Sequence, residues 1–176
     1  MKIGLCGTMS VGKTTLVNAL KETKQFKDYM FRTERSKYLM EQGIPLNTDS
    51  TLKGQTIFLA ERCAELIQTD IITDRTVIDV MAFTQNAKSI PYQDKDKFID
   101  YAKEFIREYD YIFYISSDGL PIEDNGVRET DEHYRDVIDF TITSFIRKYA
   151  YMMKNVETIK GTTEERIEQI LNVINS

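Results

Sequence analysis

The feature that most constrains this chain is an eight-residue loop, Gly7–Thr14, near the amino terminus. The loop reads GTMSVGKT and fits the pattern G-x-x-x-x-G-K-[S/T], with an apolar strand candidate before it and a helical stretch from Thr15 to Leu20 after it. Glycines let such a backbone curl until successive amides point inward, and the positive end of the following helix adds to their field. The sequence therefore predicts a strand, loop and helix unit that binds phosphate oxygens through its main chain.

Two side chains of this loop have chemical roles in the pattern. Lys13 is placed to reach β- and γ-phosphates, and the Thr14 hydroxyl is placed to bind a magnesium ion. A chance match of glycine and lysine in an ordinary strand-helix turn is the competing interpretation, which the order of strand, loop and helix disfavours. We therefore expect ATP and Mg²⁺ as cofactors. The expected nucleotide contacts are Gly7, Thr8, Met9, Ser10, Val11, Gly12, Lys13, Thr14 and Thr15.

Short apolar runs alternate with helical patterns along the chain, which is typical of a parallel sheet covered by helices. The fold class predicted is α/β, a three-layer sandwich with a mainly parallel five-stranded sheet. A length of 176 residues with 41% hydrophobic residues suits one substantial core better than two. The strand candidates are Lys2 to Cys6, Tyr29 to Arg32, Asp70 to Thr73, Tyr111 to Ser116 and Val156 to Lys160.

Apolar residues at helical spacing predict the helices that cover this sheet. A long helix is expected from Asp49 to Thr69, although Gly54 weakens its first turns. Thr162 and Glu165 form a capping box in front of the last helix. The predicted inward faces are Ile57, Ala60, Ala64 and Ile67; Phe98, Ala102, Phe105 and Tyr109; Ile138, Ile142, Phe145 and Tyr149; and Ile167, Ile170, Leu171 and Ile174.

Composition narrows the classes of function. The formal charge of -5 disfavours a surface that holds duplex nucleic acid, although a local basic groove is compatible with that average. The chain has two cysteines, in unrelated contexts, and one histidine, so neither a disulfide framework nor a zinc site is supported. It shows no secretion signal and no apolar stretch long enough to span a bilayer, so we expect a cytoplasmic protein without membrane partners.

A second group of candidate site residues follows the third strand, where the sequence reads TDRT. Asp74 should lie at the carboxyl end of that strand, beside the phosphate-binding loop, because ligands bind there in parallel α/β sheets. Its carboxylate could bind the metal or accept a proton, and Arg75 could clamp an anionic or hydroxyl-bearing acceptor. The alternative for Asp74 is a helix cap. Asp79 could support the site or lie at the surface, and Asp110 is expected at the opposite end of the sheet.

Four patches together carry a family resemblance: GTMSVGKTTL, RTERSKYL, TDRTVIDVMAF and DNGVRETDEHYR. With these patches the chain resembles the nucleoside and nucleotide kinase branch of the P-loop proteins, and within it the AAA-like kinases related to the nicotinamide riboside kinase domain. The resemblance covers most of the chain, and the first patch is the most specific. It implies one kinase domain over residues 1–176, with a flexible lid at about residues 118–136.

The resemblance also implies roles for residues outside the phosphate-binding loop. Glu34 and Arg35 map to the acceptor pocket, and the alternative for Glu34 is a glutamate that complements a helix dipole. Gln55 corresponds to an amide that reads a base, with a solvated helix side chain as the alternative. Arg128 and Arg135 correspond to lid arginines that stabilise the transferring phosphoryl group, and a charged surface loop is the alternative there.

These expectations favour a phosphotransferase that moves the γ-phosphoryl group of ATP to a small nucleoside or nucleoside monophosphate. One alternative keeps the same machinery for a polynucleotide end or a modified base, which the acidic balance disfavours. Another is a regulatory GTPase or a mechanical ATPase, but the chain has no Asn-Lys-x-Asp stretch for reading guanine. Deoxynucleoside, nucleoside monophosphate and nicotinamide riboside all remain open as acceptors, as does the oligomeric state.

Overall fold

The computed structural model describes residues 1–33, 35–117 and 131–176, and in these ranges the chain forms one five-stranded sheet. All pairings are parallel. The strands are β1 (Lys2–Cys6), β2 (Met30–Arg32), β3 (Ile71–Asp74), β4 (Tyr111–Ile115) and β5 (Val156–Ile159). Their order across the sheet is β2-β3-β1-β4-β5, so the first strand is central and its carboxyl end is flanked by those of β3 and β4. The predicted parallel α/β fold is confirmed.

Seven α-helices lie in the described ranges. They are α1 (Lys13–Lys21), α2 (Ser36–Glu41), α3 (Leu52–Glu65), α4 (Val77–Asn86), α5 (Tyr92–Ala102), α6 (Glu132–Lys148) and α7 (Thr163–Ile174). Short 3₁₀ turns occur at Lys24–Phe26, Asn47–Asp49, Lys103–Glu108 and Ala150–Met152. None of the helices in these ranges has the length and apolar character needed to cross a membrane.

The sheet separates two hydrophobic cores, as the alternation of strand side chains requires. Ile3 and Leu5 of β1 pack in one core with residues of α1 and α7, such as Leu16 and Ile170. Cys6 points to the other core, which α3 to α6 cover. The helices therefore lie on both faces, which gives the predicted three layers.

Gly4 allows α4 to approach the central strand closely. A Cβ at this position would lie 2.5 Å from Thr76 Cγ2 and 2.8 Å from Tyr109 Cε1. Contacts this short essentially never occur, so a larger residue would have to displace the side chains of Thr76, the N-cap residue of α4, and Tyr109. The absence of a side chain at Gly4 thus lets the start of α4 pack beside the carboxyl ends of β1 and β3.

Half of the ten predicted strand boundaries match the structure, and the other half are shifted by one residue. β2 begins at Met30 because the Tyr29 amide donates to Phe26 O at 2.9 Å and so belongs to the preceding turn. β3 runs one residue further than predicted and ends at Asp74, which pairs with Leu5. β4 and β5 each end one residue early. The helix predicted through Tyr109 stops at Ala102 and continues as a 3₁₀ turn.

The inward face predicted for the long third helix is wrong. Ala60, Ala64 and Ile67 are exposed, Ile67 at 77%, and α3 spans a shorter range than Asp49 to Thr69. The buried face instead carries Gly54, Gln55, Phe58, Leu59 and Arg62, with Leu66 just beyond the helix. Hydrophobic periodicity pointed to the other face because two of these inward side chains, an amide and a guanidinium, are polar.

Candidate active site

The phosphate-binding loop, Gly7–Thr14, joins β1 to α1 at the carboxyl edge of the sheet. Gly12 is the N-cap residue of α1 and has φ of 80°, a left-handed conformation that glycine adopts without strain. Gly7 packs so tightly that a Cβ there would lie 2.8 Å from Ile115 O. A side chain would be strained at Gly12 and would clash at Gly7, so the loop needs glycine at both positions of the pattern. This supports the loop conformation expected from the sequence.

Lys13 is folded into the loop and is only 6% exposed. Its Nζ donates to Gly7 O at 2.6 Å and to Thr8 O at 2.7 Å. Carbonyl and amide of one trans peptide point in opposite directions, so these bonds turn the amides of Thr8 and Met9 away from the lysine. Burial lowers the pKa of Lys13, and the nearby carboxylates of Asp79 and Asp74 partly oppose this. The ammonium is therefore a fixed group of the loop.

Asp74 contacts the phosphate-binding loop directly. The pairing of Leu5 with Asp74 aligns the two strand ends, and Thr14 Oγ1 donates to Asp74 Oδ2 at 2.5 Å. The other carboxylate oxygen, Oδ1, is buried and has no hydrogen-bond partner among the described residues. A hydroxyl and an incompletely satisfied carboxylate are hard oxygen ligands, so Thr14 and Asp74 fit a Mg²⁺ ion. The helix-cap alternative for Asp74 is wrong, because Thr76 caps α4.

Asp79, predicted either to support the site or to lie at the surface, is buried beside the phosphate-binding loop. It is fully buried, and its Oδ1 accepts a bond from the Gly7 amide at 3.1 Å. Its Oδ2 accepts bonds from the Thr76 amide at 2.7 Å and from the Thr76 hydroxyl at 2.8 Å. One carboxylate thus joins the start of the phosphate-binding loop to the start of α4. The spacing T-x-x-D, a capping-box pattern, was the available signal.

Arg62 was not predicted as part of the site either. This side chain of α3 is 1% exposed, and its Nη1 donates to the main-chain oxygen of Asp74 at 3.2 Å. Its Nη2 donates to Glu65 Oε1 at 2.7 Å. Burial acts to lower the pKa of Arg62, but the carboxylate of Glu65 overcomes this and raises it. A charged guanidinium therefore fixes the end of β3 from the side of α3.

Arg75 turns away from the strand immediately after Asp74. It has φ of 81°, an uncommon conformation for a residue with a side chain. Its amide donates to Leu5 O at 3.0 Å, and its carbonyl accepts a bond from Thr73 Oγ1 at 3.0 Å. Its guanidinium carbon lies 4.7 Å from the ring centre of Phe83. Such strain is often concentrated at functional sites, and here it directs Arg75 into a pocket.

This pocket lies between α2, α3 and α4. Its empty space is about 330 Å³, counted together with the open solvent at its mouth. Gln55 lines it and is only 3% exposed, so the alternative of a solvated side chain is wrong. The lining residues are Ser36, Leu46, Asn47, Ser50, Gln55, Phe58, Arg75, Val80 and Phe83.

The remaining predicted site residues lie at the edge of the site or outside the described residues. Arg35 is exposed, pairs with Glu61 at 3.2 Å and does not line the pocket. Thr15 is exposed on the first turn of α1. The carbonyl of Arg135, by contrast, accepts a bond from Thr8 Oγ1 at 3.2 Å, which places the start of α6 against the phosphate-binding loop. Glu34, Arg128 and most of the predicted lid lie outside the described residues.

The sequence matches one known family over nearly its whole length. A family model described as an AAA domain matches residues 2–166. The chain belongs to this AAA domain family. No curated protein matches it in sequence.

Solved structures share its fold. Deoxyadenosine kinase from M. mycoides with the products dCMP and dCDP is 21% identical, with a TM-score of 0.71 over 99% of this chain and 98% of the other. Thymidylate kinase from Candida albicans is 15% identical, with a TM-score of 0.68 over 98% and 90%. NadR protein in complex with NR is 16% identical, with a TM-score of 0.68 over 97% of this chain and 50% of the other. This AAA domain thus has the fold of nucleoside and nucleotide kinases, as its sequence patches predict.

Proposed function

We propose that this protein is an ATP- and Mg²⁺-dependent phosphotransferase that moves the γ-phosphoryl group to a nucleoside or nucleoside monophosphate. The observation that carries the proposal is the position of two consecutive residues. Asp74 accepts a hydrogen bond from Thr14 of the phosphate-binding loop, and Arg75 lines the adjacent pocket. The phosphate-binding loop and the pocket thus meet at one peptide unit, as a direct transfer between two bound molecules requires.

The donor side would be formed by the loop and the residues around it. The amides of the phosphate-binding loop and the amino end of α1 would bind the phosphates, and Lys13 would contact the β- and γ-phosphates. Thr14 and Asp74 would hold the Mg²⁺ ion, which supplies positive charge to the phosphate oxygens when bound. Arg135, whose main chain lies against Thr8, would contribute a further cation together with Arg128.

The acceptor side would be the pocket that contains Gln55. Its amide can both donate and accept, so it can pair with the edge of a heterocyclic base. The rings of Phe58 and Phe83 supply flat apolar surface in the same pocket, and Arg75 supplies a cation near the reacting end. The relatives with this fold include a deoxyadenosine kinase, a thymidylate kinase and a protein that binds NR, and each name describes a nucleoside-like ligand.

The proposed chemistry is an in-line displacement at the γ-phosphorus. An acceptor oxygen forms a bond to phosphorus while the bond to the β,γ-bridging oxygen breaks, and ADP leaves. Where the acceptor is a hydroxyl, its proton passes to a carboxylate, for which Asp74 and Glu34 are the candidates. Lys13 and the arginines stabilise the charge on the transferring group. We further propose that residues 1–176 act as one kinase domain, with a lid at about residues 118–136.

The direct test is release of ADP from ATP and Mg²⁺ with and without acceptors. The panel would contain deoxynucleosides, nucleosides, their monophosphates, nicotinamide riboside and a 5′-hydroxyl oligonucleotide. ADP release that depends on a nucleoside or monophosphate, with the phosphorylated product seen by mass spectrometry, is the expected result. Transfer to the oligonucleotide alone would favour the polynucleotide alternative. Hydrolysis that no acceptor stimulates would overturn the proposal in favour of an NTPase.

A thermal-shift screen would identify the acceptor independently of turnover. Ligands that bind only the native state raise the melting temperature according to their concentration and affinity. The same panel would be tested with a nonhydrolysable ATP analogue present. We expect the acceptor that supports ADP release to give the largest shift, and a Gln55→Leu variant to lose that shift while keeping the shift caused by the analogue.

A further inference from the structure

Arg166, on the first turn of α7, contacts the phosphate-binding loop from the far end of the chain. It is 5% exposed, and its Nη1 donates to Val11 O at 2.7 Å across 155 positions of sequence. The same nitrogen would lie 3.2 Å from a Cβ at Gly12. Its Nε is buried without a hydrogen-bond partner among the described residues. A guanidinium thus lies directly against the peptide unit that joins Val11 to Gly12.

This contact fixes the direction of one amide of the loop. In a trans peptide the carbonyl and the following N–H point in opposite directions. Because Val11 O is held toward Arg166, the Gly12 N–H must point away from it. Gly12 has no Cβ and adopts φ of 80° without steric strain, so sterics restrict this peptide little and the hydrogen bond to the Val11 carbonyl helps to fix its orientation. A rotated peptide would instead present a carbonyl oxygen to the phosphate, which would repel it.

The helix that carries Arg166 is itself firmly held. Thr162 and Glu165 form a reciprocal capping box, with Thr162 N donating to Glu165 Oε2 at 2.7 Å and Glu165 N to Thr162 Oγ1 at 3.3 Å. Ile170, one turn further along α7, is fully buried in the core that α1 and β1 share. The guanidinium is therefore supported by a rigid element and not by a mobile surface turn.

We propose that Arg166 is a positioning residue of the donor site, holding the Val11–Gly12 peptide in the orientation that binds nucleotide phosphate. The inference rests on the proposed function in that the loop must bind ATP. Arg166 acts through the main chain of the loop and is not assigned a contact with ATP. Its effect should therefore appear in the affinity for polyphosphates and not in the affinity for the acceptor.

The test compares Arg166→Met with Ile170→Val by direct titration of ATP and by steady-state kinetics. Both changes are on α7, and both remove interactions that stabilise it. Arg166 donates a hydrogen bond to the main chain of the loop, whereas Ile170 contributes only apolar packing to the core that α1 and β1 share. We expect Arg166→Met to weaken ATP binding about tenfold, which is the effect of about 1.4 kcal/mol. Its KM for the acceptor should stay within about twofold of wild type. Ile170→Val should lower the melting temperature and leave the Kd for ATP unchanged.

Further outcomes decide the inference in every case. Equal ATP affinity in Arg166→Met and wild type would overturn it, as would equal losses in Arg166→Met and Ile170→Val. If Arg166→Met does not fold, Arg166→Lys is titrated with ATP in its place. The ammonium of this variant can still donate to Val11 O, so it should keep most of the affinity for ATP. An Arg166→Lys variant that folds but loses ATP binding overturns the inference. If wild type binds ATP without transferring phosphate, the proposed function fails while the titrations still decide the role of Arg166. If wild type binds no nucleotide, both fail.

Discussion

The two halves of the proposed site are built in opposite ways. The donor half is the phosphate-binding loop, whose eight residues are contiguous and whose main-chain amides are proposed to bind the phosphates. The acceptor half is the pocket that contains Gln55, whose lining comes from three helices and two connecting segments. The shape of a contiguous loop depends mainly on its local backbone conformation, whereas the shape of a pocket lined by separate segments depends on how the helices pack. The two halves therefore respond differently to substitution.

Buried charged side chains support the donor half from outside. Asp79 binds the amide of Gly7 at the start of the loop, and Arg166 binds the carbonyl of Val11 near its end. Arg62 binds the carbonyl of Asp74 beside the loop. Each of these contacts is a charge-assisted hydrogen bond to main chain, which is stronger than a neutral one. The loop motif is thus local, but the groups that hold its shape come from α3, α4 and α7.

The largest effect is expected for Lys13→Ala in the donor half. Removing the buried cation that is proposed to face the transferring phosphate should lower kcat about 10³-fold, because such a group would stabilise charge that develops in the transition state. The substitution should leave the far-ultraviolet circular dichroism unchanged, since α1 continues beyond it. Stopped assays of ADP formation would measure the loss. The exposed Lys27→Ala is the control, and a Lys13→Ala enzyme with wild-type kcat would remove the loop from the site.

The next largest effect tests the acceptor half alone. Gln55→Leu keeps the apolar volume of the side chain but removes both hydrogen-bonding groups from a 3% exposed position. An unpaired base edge costs about 1–3 kcal/mol, so kcat/KM for the acceptor should fall about 5- to 150-fold. The KM for ATP should be unchanged. Gln68→Leu, on the exposed turn after α3, is the matched control. A parallel loss of ATP affinity would show that the halves are not separable.

A smaller effect is expected for Asp79→Asn, which tests support of the donor half. The carboxylate accepts bonds from Gly7 N and Thr76 N through different oxygens. An asparagine has only one oxygen, so one of these buried amides would face an NH₂ group. We expect a loss of about 1–2 kcal/mol in the free energy of unfolding, measured by urea denaturation, and a several-fold weaker Kd for ATP.

The control for this substitution is Asp110→Asn. Asp110 also accepts a bond from a main-chain amide, that of Lys2, but it lies at the opposite end of the sheet, as the sequence predicted. It should change stability without changing the affinity for ATP. If Asp79→Asn bound ATP as tightly as Asp110→Asn does, the link between Asp79 and the phosphate-binding loop would have no functional consequence.

The contrast between a contiguous loop and a pocket from separate segments also explains which site residues the sequence could predict. The loop and the capping box of α7 depend on neighbours within a few residues, so their patterns are visible in the chain. Asp74 is 60 positions from Thr14, but it could be predicted because the carboxyl ends of parallel strands meet at one edge of the sheet. Arg62 and Arg166 bind main-chain oxygens whose positions only the folded chain defines. Their contacts follow no spacing that a sequence displays. The buried role of Gln55 was similarly hidden, because a polar residue on a helix normally indicates its solvent face.

The smallest effect concerns α3, where hydrophobic periodicity predicted the wrong face. Ile67 was expected to point inward but is 77% exposed, so Ile67→Ser should change the free energy of unfolding by less than about 0.5 kcal/mol. Leu59, which is 4% exposed on the observed inner face, is the matched comparison, and Leu59→Ala should cost about 2–4 kcal/mol. Urea denaturation of both variants measures the difference. Ile67 lies in the turn after α3, so equal losses would mean that the end of this segment packs inward in solution. The orientation of α3 would then need to be tested again, because Gln55 and Phe58 line the pocket only in the orientation described.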